Sequence, residues 1–463
     1  MEATQAEPGL RLIREREEPL MKTVIVGANH GGIAAANTLL DHYPDHRVVM
    51  IDQNTNISYL GCGTALWVGR QIDSYSGFIL HEKKKILQKK GASVHMETTV
   101  RKIDFERKVV FCEKTDGRTF EESYDKLILA TGSLPIAPDL PGQNLEHISF
   151  LKLFQDGQNV DHLIGRMDVQ HVAVIGAGYI GVEIAEAAIR RGKKVKLFDI
   201  ADTSLASYYD EWFTKDMDRL LEEKGIETHF KEQVLAFLGT TSVERIVTDH
   251  GEYKTDLVIS AIGFRPNTVL GMEHLKLFKN GAYCVDRHQR TSDPDVYAVG
   301  DCAAIYSNAL KRKTYIALAT NAVRSGIVAG HNVGGTALEE TGVQGSNGIS
   351  VFGYHMVSTG LSVKAAQKSG LDVTYTDFED LQRPGFMKKN AKVKVRIVYE
   401  RNSRRIVGAQ MASTEDISMG IHMFSLAIEQ EVTIDQLKLL DLFFLPHFNQ
   451  PYNYITMAAL SAK

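Results

Sequence analysis

A chain of 463 residues exceeds what one hydrophobic core serves, and at about 100–200 residues per domain it calls for about three domains. With 44% hydrophobic and 24% charged residues its composition is that of a soluble globular protein, which excludes a largely disordered, collagen-like or coiled-coil chain. Lysine and arginine number 53 against 57 acids, a net charge of −4, so the basic surplus of a nucleic-acid binder is missing and small-molecule partners are expected. Cys62, Cys112, Cys284 and Cys302 lie far apart without a C-x-x-C pair, which points away from a disulfide framework or a metal site and toward a reducing compartment. No apolar run reaches the roughly 18–20 residues that span a bilayer, and no secretory segment is legible, so a cytoplasmic protein off the membrane is expected.

Residues 1–20 (MEATQAEPGLRLIREREEPL) are polar and charge-dense, and Met21 opens a buried-strand pattern, so the segment reads as a tag, an extension or a mis-set start. From there KTVIVGANHGGIAAANTLLDHYPDHRVVMIDQN predicts a strand, a glycine turn, an Ala- and Leu-rich helix and a second strand ending in an acid. The same grammar returns in HVAVIGAGYIGVEIAEAAIRRGKKVKLFDI, ending at Asp199, and two such units imply two nucleotides. After about residue 336 strand-like AKVKVRIVYE and RRIVGAQMAS precede helix-like MGIHMFSLAIEQ and TIDQLKLLDLFF, which predicts an α+β third domain.

In the second unit Gly176, Gly178 and Gly181 complete G-x-G-x-x-G directly after a strand. The first permits the tight turn, the second lets backbone approach a pyrophosphate, and the third allows close helix packing. The helix N-terminus then faces the phosphates with its positive end. Asp199, about 20 residues on, is placed for the ribose 2′-hydroxyl. It repels a 2′-phosphate, and IADTSLASYY after it offers no arginine to receive one, which favours NADH. A glycine turn that binds nothing is the competing reading. The first unit is less regular, because Gly27-Ala28-Asn29-His30-Gly31-Gly32 has Asn29 for the middle glycine and His30 in the loop, with Asp52 downstream as the ribose acid. Two further segments, YDKLILATGS and TSDPDVYAVGDC, are short strands ending in glycine.

Together the two units, the ATG-type strand and the VYAVGD strand resemble the two-dinucleotide flavoprotein disulfide reductases over residues 21–463. The resemblance implies an α/β chain with two Rossmann-like domains and a C-terminal α+β dimerisation domain. FAD falls to 21–135 and 264–335, NADH to 136–263, and the dimer contact to 336–463. Carried over by position, FAD is contacted by Gly27, Asn29, His30, Gly31, Gly32, Asp52, Cys62, Ala130, Thr131, Gly132, Ser133, Lys152 and Asp301. Leu318, Ala319 and Thr320, at a helix start beginning with Ala317, lie beside the flavin, and Phe444 reaches a flavin site across a homodimer. NADH is contacted by Gly176, Gly178, Tyr179, Ile180, Gly181, Asp199, Tyr208, Gly263 and Ala317, with Tyr179 as a gate over the nicotinamide face. His447 is a candidate beside Phe444 or a surface histidine, and Met411, Met419 and Met423 read as packing groups.

NISYLGCGTALW decides the chemistry within that resemblance. Where glutathione-reductase-like members carry a second cysteine, five positions after the first, this chain has Trp67. Cys112, in KVVFCEK, reads as a structural strand residue. A lone flavin-side cysteine stores oxidising equivalents as a sulfenic acid or a mixed disulfide. Single-cysteine members comprise NADH peroxidases, water-forming NADH oxidases and coenzyme A disulfide reductases. His30 resembles the histidine of the first two groups, which approaches the sulfur, relays a proton and helps hold Cys62 as a low-pKa thiolate. SYLGCGTALWVG, VQGSNGISVFGYHMVSTGL, SMGIHMFSLAIEQ and DLFFLPHFNQPYNYITMAAL resemble the oxidases of lactic acid bacteria. This implies that NADH and O2 are consumed two to one and that Cys62 cycles between thiolate and sulfenic acid, with the peroxidase and the coenzyme A disulfide reductase as alternatives. A signalling flavoprotein, or a reductase serving an iron-sulfur protein, has no need of Cys62 between two glycines.

Overall fold

The computed structural model describes residues 21–77 and 81–463, so the charge-dense segment 1–20 lies outside the described residues. Two five-stranded sheets carry the two nucleotide units. In the first, Lys22–Val26 lies between Arg47–Ile51 and Lys126–Leu129, all parallel, with Ser93–His95 and Val296–Ala298 at the edges. In the second, His171–Ile175 lies between Lys194–Asp199 and Leu257–Ser260, with Ile226–Phe230 and Ile148–Phe150 outside them. Parallel strands covered on both faces need apolar side chains on both. That is why KTVIV and HVAVI run apolar without alternation, and in each only the first residue is not buried.

The helix His30–His42 follows the first strand and lies along Ala319–Val333, the helix after the VGD turn. Gly326 meets the carbonyl of Gly31 so closely that no Cβ fits between the helices. This brings the VGD turn, whose Gly300 amide donates to Ser325 Oγ at 3.0 Å, beside the first glycine loop. Ala319 is the first residue of the later helix and Leu318 its extended N-cap, so Ala317 and Leu318 precede the helix instead of opening it. Cys112 is buried in the strand Val109–Lys114 of a separate three-stranded sheet, as its apolar setting predicts.

The C-terminal region is an antiparallel sheet in the order Asn347–Val351, Tyr354–Gly360, Ile406–Ser413, Lys392–Glu400, Val373–Leu381, packed by the helices Ser418–Glu429 and Tyr454–Leu460. The helix expected over TIDQLKLLDLFF shrinks to one turn, Ile434–Leu437. Ile434 and Leu437 are buried, but Leu439, Phe443 and Phe444 find no core and face outward. Asn449 accepts the Leu445 amide at 3.2 Å and donates to the Phe443 carbonyl at 2.8 Å, so a side chain satisfies backbone groups that a helix would have paired. Met411 is buried in this sheet's core, Met423 packs at its margin, and Met419 is exposed.

Asp210 fastens the second nucleotide domain to this sheet. It precedes the helix Glu211–Glu223 and is buried. Its amide donates to Gln410 Oε1 at 2.8 Å, and its carboxylate accepts from Gln410 Nε2 at 2.7 Å and from the Val363 amide at 3.1 Å. Arg396 lies 3.3 Å from the same carboxylate while its fork holds Asp377 at 2.7 Å. Truncating one member of a buried charge pair strands the other, so Asp210→Ala is expected to cost about 3–5 kcal/mol. The drop in thermal midpoint followed by circular dichroism checks this, with Asp210→Asn falling less because it keeps the hydrogen bonds.

Candidate active site

The site begins at the two glycine turns. Gly27 has φ +112° and Gly176 φ +97°, conformations that L side chains rarely adopt. A Cβ at either would also collide with the carbonyl crossing beneath, that of Ala130 in the first unit and Ala261 in the second. Past each turn an acid from the neighbouring strand's end clasps the loop. Asp52 Oδ2 accepts the Ala28 amide at 2.6 Å and Oδ1 the Asn54 amide at 2.7 Å. Asp199 Oδ2 accepts the Ala177 amide at 2.6 Å and Oδ1 the Ala201 amide at 2.8 Å. Burial pushes the Asp52 carboxyl above its ordinary range, against the pull of the Asn54 and Ala28 hydrogen bonds.

Each helix that follows keeps its N-terminus open. Asn29 and Gly178 make no side-chain capping bond, and neither first turn carries an acid. The first amides therefore have no intrahelical acceptor and point, with the positive end of the helix dipole, at whatever lies across the loop. That donor set suits a pyrophosphate, and an acid at the adjoining strand end suits ribose hydroxyls. At the far end of the first trough, Ser133 Oγ donates to Asp301 Oδ2 at 2.8 Å, and Lys152 Nζ reaches Ser133 Oγ at 2.9 Å and Asp301 Oδ2 at 3.2 Å. A polar cluster of this kind, in line with Gly132 and its open positive-φ turn, suits the chain of hydroxyls and phosphates in FAD.

Cys62 sits in a short 3₁₀ turn, Gly61–Gly63, that leads into the helix Thr64–Val68. Tyr59 and Thr64 hydroxyls bond to each other beneath it. Trp67, at the place of a second cysteine, is buried against Phe154 and Tyr75, so the position serves packing. Cys62 is a free, exposed thiol and borders a cavity of about 320 Å³. That cavity is walled by Leu66, by Glu183 and Glu186 from the helix Tyr179–Arg190, and by His355 and Asp416 from the C-terminal sheet region. In the chain by itself desolvation first, and then the Glu183 carboxylate, push the Cys62 thiol up, opposite in direction to the low-pKa thiolate expected beside His30, while the turn's own backbone amide and Lys152 pull the other way. His30 is the first residue of its helix and is half-buried.

Tyr179 opens the second-unit helix next to Gly178. Its hydroxyl meets that of Tyr209 at 2.9 Å and donates to the Asn347 side-chain carbonyl, which also accepts Ser358 Oγ at 3.0 Å. The edge of Tyr208 packs on its ring at 4.4 Å between centroids. Ile180 and Gly181 continue the helix, and Gly263, at φ +112°, ends the crossing segment with its carbonyl on the Ile136 amide at 3.0 Å. Thr131 Oγ1 donates to the Asn267 carbonyl at 2.6 Å. Phe444 and His447 both lie on the exposed C-terminal segment.

Sequence reasoning missed Glu183, His355, Asp416, Asn347 and Asp210. Glu183 alone left a trace, because it follows Tyr179 by one helical turn and so shares its face. The others come from distant segments that only folding brings in.

A family model for pyridine nucleotide-disulphide oxidoreductases matches residues 21–326, and one for the dimerisation domain of the same family matches residues 347–453. The chain belongs to the pyridine nucleotide-disulphide oxidoreductase family. Among its relatives, the NADH oxidase of Lactococcus lactis subsp. cremoris is 60% identical over 447 residues, covering 96% of this chain and all of that one. The NADH oxidase of Streptococcus pyogenes serotype M6 is 52% identical, with 96% and 100% covered. The solved structure of the water-forming NADH oxidase from Lactobacillus brevis, bound to NADH, superimposes with a TM-score of 0.92 at 36% identity, covering 95% of this chain and 97% of that one. The α/β architecture read from the sequence, two nucleotide-binding units and a C-terminal dimerisation domain, is that of this oxidoreductase family. No helix among the described residues is long and apolar enough to cross a membrane.

The electrostatics of Cys62 give a direct expectation. With its titration pushed up, neutral thiol dominates at pH 7 and reactivity grows as pH rises. Alkylation of Cys62 by iodoacetamide in protein stripped of flavin should therefore accelerate only beyond the ordinary thiol range. Rapid, pH-independent alkylation near neutrality would contradict the upward push on the thiol.

Proposed function

We propose that this protein is an FAD-dependent oxidase that takes electrons from two NADH and reduces one O2 by four electrons: 2 NADH + O2 + 2 H⁺ → 2 NAD⁺ + 2 H2O. The observation that carries it is the single exposed Cys62, set in a glycine turn between the two nucleotide units, with packing tryptophan where a partner sulfur would stand. The relatives named NADH oxidase at 52–60% identity, and the water-forming oxidase of the same fold, support it. The acids beside Cys62 work against a polyanionic thiol such as coenzyme A as the substrate.

In this reading Gly27, Asn29, Gly31, Gly32 and the helix N-terminus hold the FAD pyrophosphate, Asp52 its ribose, and Ala130–Ser133, Lys152 and Asp301 its central chain. Leu318, Ala319 and Thr320 flank the ring, and Phe444 comes to it across the homodimer. Gly176, Gly178, Ile180, Gly181, Asp199, Tyr208, Gly263 and Ala317 seat NADH, and Tyr179 covers the place where the nicotinamide enters. Bound flavin supplies the passage of electron pairs from NADH to oxygen or to oxidised Cys62. The Cys62 thiol, giving up its proton as its sulfur attacks peroxide, becomes sulfenic acid with release of one water, and the electron pair of the second NADH with a proton returns it to the thiol with release of the second water. His30 holds a proton beside this exchange. The enzyme acts in the cytoplasm, where its free thiols stay reduced.

The test is the stoichiometry of NADH and oxygen in air, with catalase reporting accumulated peroxide. A ratio near two with no peroxide is expected. Cys62→Ser is expected to lower the ratio toward one and release about one peroxide per oxygen consumed, since two-electron reduction then has no further acceptor. A Cys62→Ser enzyme that still makes only water would remove the sulfur from the mechanism.

A further inference from the structure

The phenol of Tyr179 is fastened by residues that the reading of the nucleotide sites leaves without a role. Asn347 opens the strand Asn347–Val351 and stands opposite Ser358 in its antiparallel pairing with Tyr354–Gly360. Its side-chain nitrogen donates to the Gly345 carbonyl at 2.6 Å, and because a carbonyl only accepts, that bond turns the side-chain oxygen toward Tyr179. The oxygen accepts the Tyr179 hydroxyl and, at 3.0 Å, Ser358 Oγ. From the other side the buried Tyr209 brings its own hydroxyl to 2.9 Å from that of Tyr179. Tyr209 is fixed in turn, because the next residue, Asp210, is bonded to Gln410 through its amide at 2.8 Å and its carboxylate at 2.7 Å. Tyr208, which packs its edge on the Tyr179 ring, is 39% exposed. Tyr179 is thus tied at its hydroxyl while one flank of its ring borders water.

We propose that Asn347, supported by Tyr209, is a latch that holds Tyr179 over the nicotinamide place in the free enzyme, so that the nicotinamide end of NADH enters by breaking the Tyr179–Asn347 hydrogen bond. This rests on the reading of Tyr179 as the cover of that place. Asn347 is a positioning residue that acts through Tyr179. The latch sets how tightly the nicotinamide end is taken up, and it leaves the electron transfer that follows to the cofactors.

The chemistry of the three groups supports a closed resting position. Burial first, and then Tyr209, push the Tyr179 phenol well above its ordinary range, so it stays a neutral donor at every pH where the enzyme is folded. Tyr179 has one proton and gives it to Asn347, which leaves Tyr209 as the donor between the two phenols. A hydroxyl that accepts one bond donates the next more strongly, so Tyr209 tightens the hold of Asn347. Where the latched form dominates, the apparent affinity for NADH is the intrinsic affinity reduced by the unlatched fraction. One neutral hydrogen bond shifts that fraction by about 3- to 10-fold. ADP-ribose has the adenosine and the pyrophosphate of NADH but no nicotinamide, so it binds without disturbing the latch.

The experiment mixes oxidised holoenzyme anaerobically with increasing NADH and follows bleaching of the flavin, which separates the dissociation constant for NADH from the limiting rate. Calorimetry gives the dissociation constant for ADP-ribose. Asn347→Ala is expected to tighten NADH by about 3- to 10-fold, with the limiting rate and the ADP-ribose constant each within about twofold of wild type. Tyr209→Phe, which keeps the ring and removes only the hydroxyl, should move NADH in the same direction by less. In a Tyr179→Phe background the latch is already open, so Asn347→Ala should add nothing. An NADH constant unchanged by Asn347→Ala, a shift shared equally by ADP-ribose, or an undiminished effect in the Tyr179→Phe background would overturn the latch. Tyr179→Ala tests the reading beneath it. If that variant keeps the wild-type NADH constant, Tyr179 covers nothing and the latch falls with it; if it moves the constant while Asn347→Ala does not, the latch alone falls.

Discussion

A carboxylate at the end of one parallel strand receives the amide just past the glycine turn of its neighbour, and the molecule builds this clasp twice. Asp52 to Ala28 and Asp199 to Ala177 have the same 2.6 Å geometry. The clasp sets where each helix begins, and therefore where its open amides point. No side chain caps those amides, which leaves them to be satisfied by whatever occupies the loop mouth. The need to leave them free explains the small residues along both loops better than flexibility does. Everything else in the site is positioned relative to these two fixed ends.

The helix pair His30–His42 and Ala319–Val333 extends the first of these ends. Contact at Gly326 lets the VGD turn lie against the first glycine loop, so residues nearly 300 positions apart in the chain form one trough. The second end is tied differently. Asp210, Gln410 and Arg396 dock the second nucleotide domain on the C-terminal sheet, and Asn347 from that sheet accepts the Tyr179 hydroxyl. The aromatic over the second glycine turn is thereby held partly by the C-terminal sheet.

Cys62 stands where the three regions meet. Its turn belongs to the first nucleotide domain, Glu183 to the second, and His355 and Asp416 to the third. A sulfur in that place is electrostatically unlike a surface thiol: desolvation and a facing carboxylate favour the protonated form, and bound cofactor and substrate act on that background. Trp67, buried among aromatics where a second sulfur would otherwise sit, leaves the thiol without a partner sulfur in the helix that follows its turn.

Much of this was legible without coordinates. The apolar runs KTVIV and HVAVI, the glycine spacing and the terminal acids determined two parallel nucleotide units, because strand, turn and helix in such a unit are local and each residue type has one geometric use. Cys62 between glycines and Trp67 five positions later were equally plain. The helix expected across TIDQLKLLDLFF formed only over Ile434–Leu437, because beyond it Leu439, Phe443 and Phe444 meet no core within the chain and Asn449 serves the backbone instead. Only the tertiary structure decided what faces Cys62 and in which direction its proton affinity moves. Those properties depend on burial and on charges contributed by Glu183, Lys152 and Asp301, residues far from Cys62 in sequence whose distances no local pattern encodes.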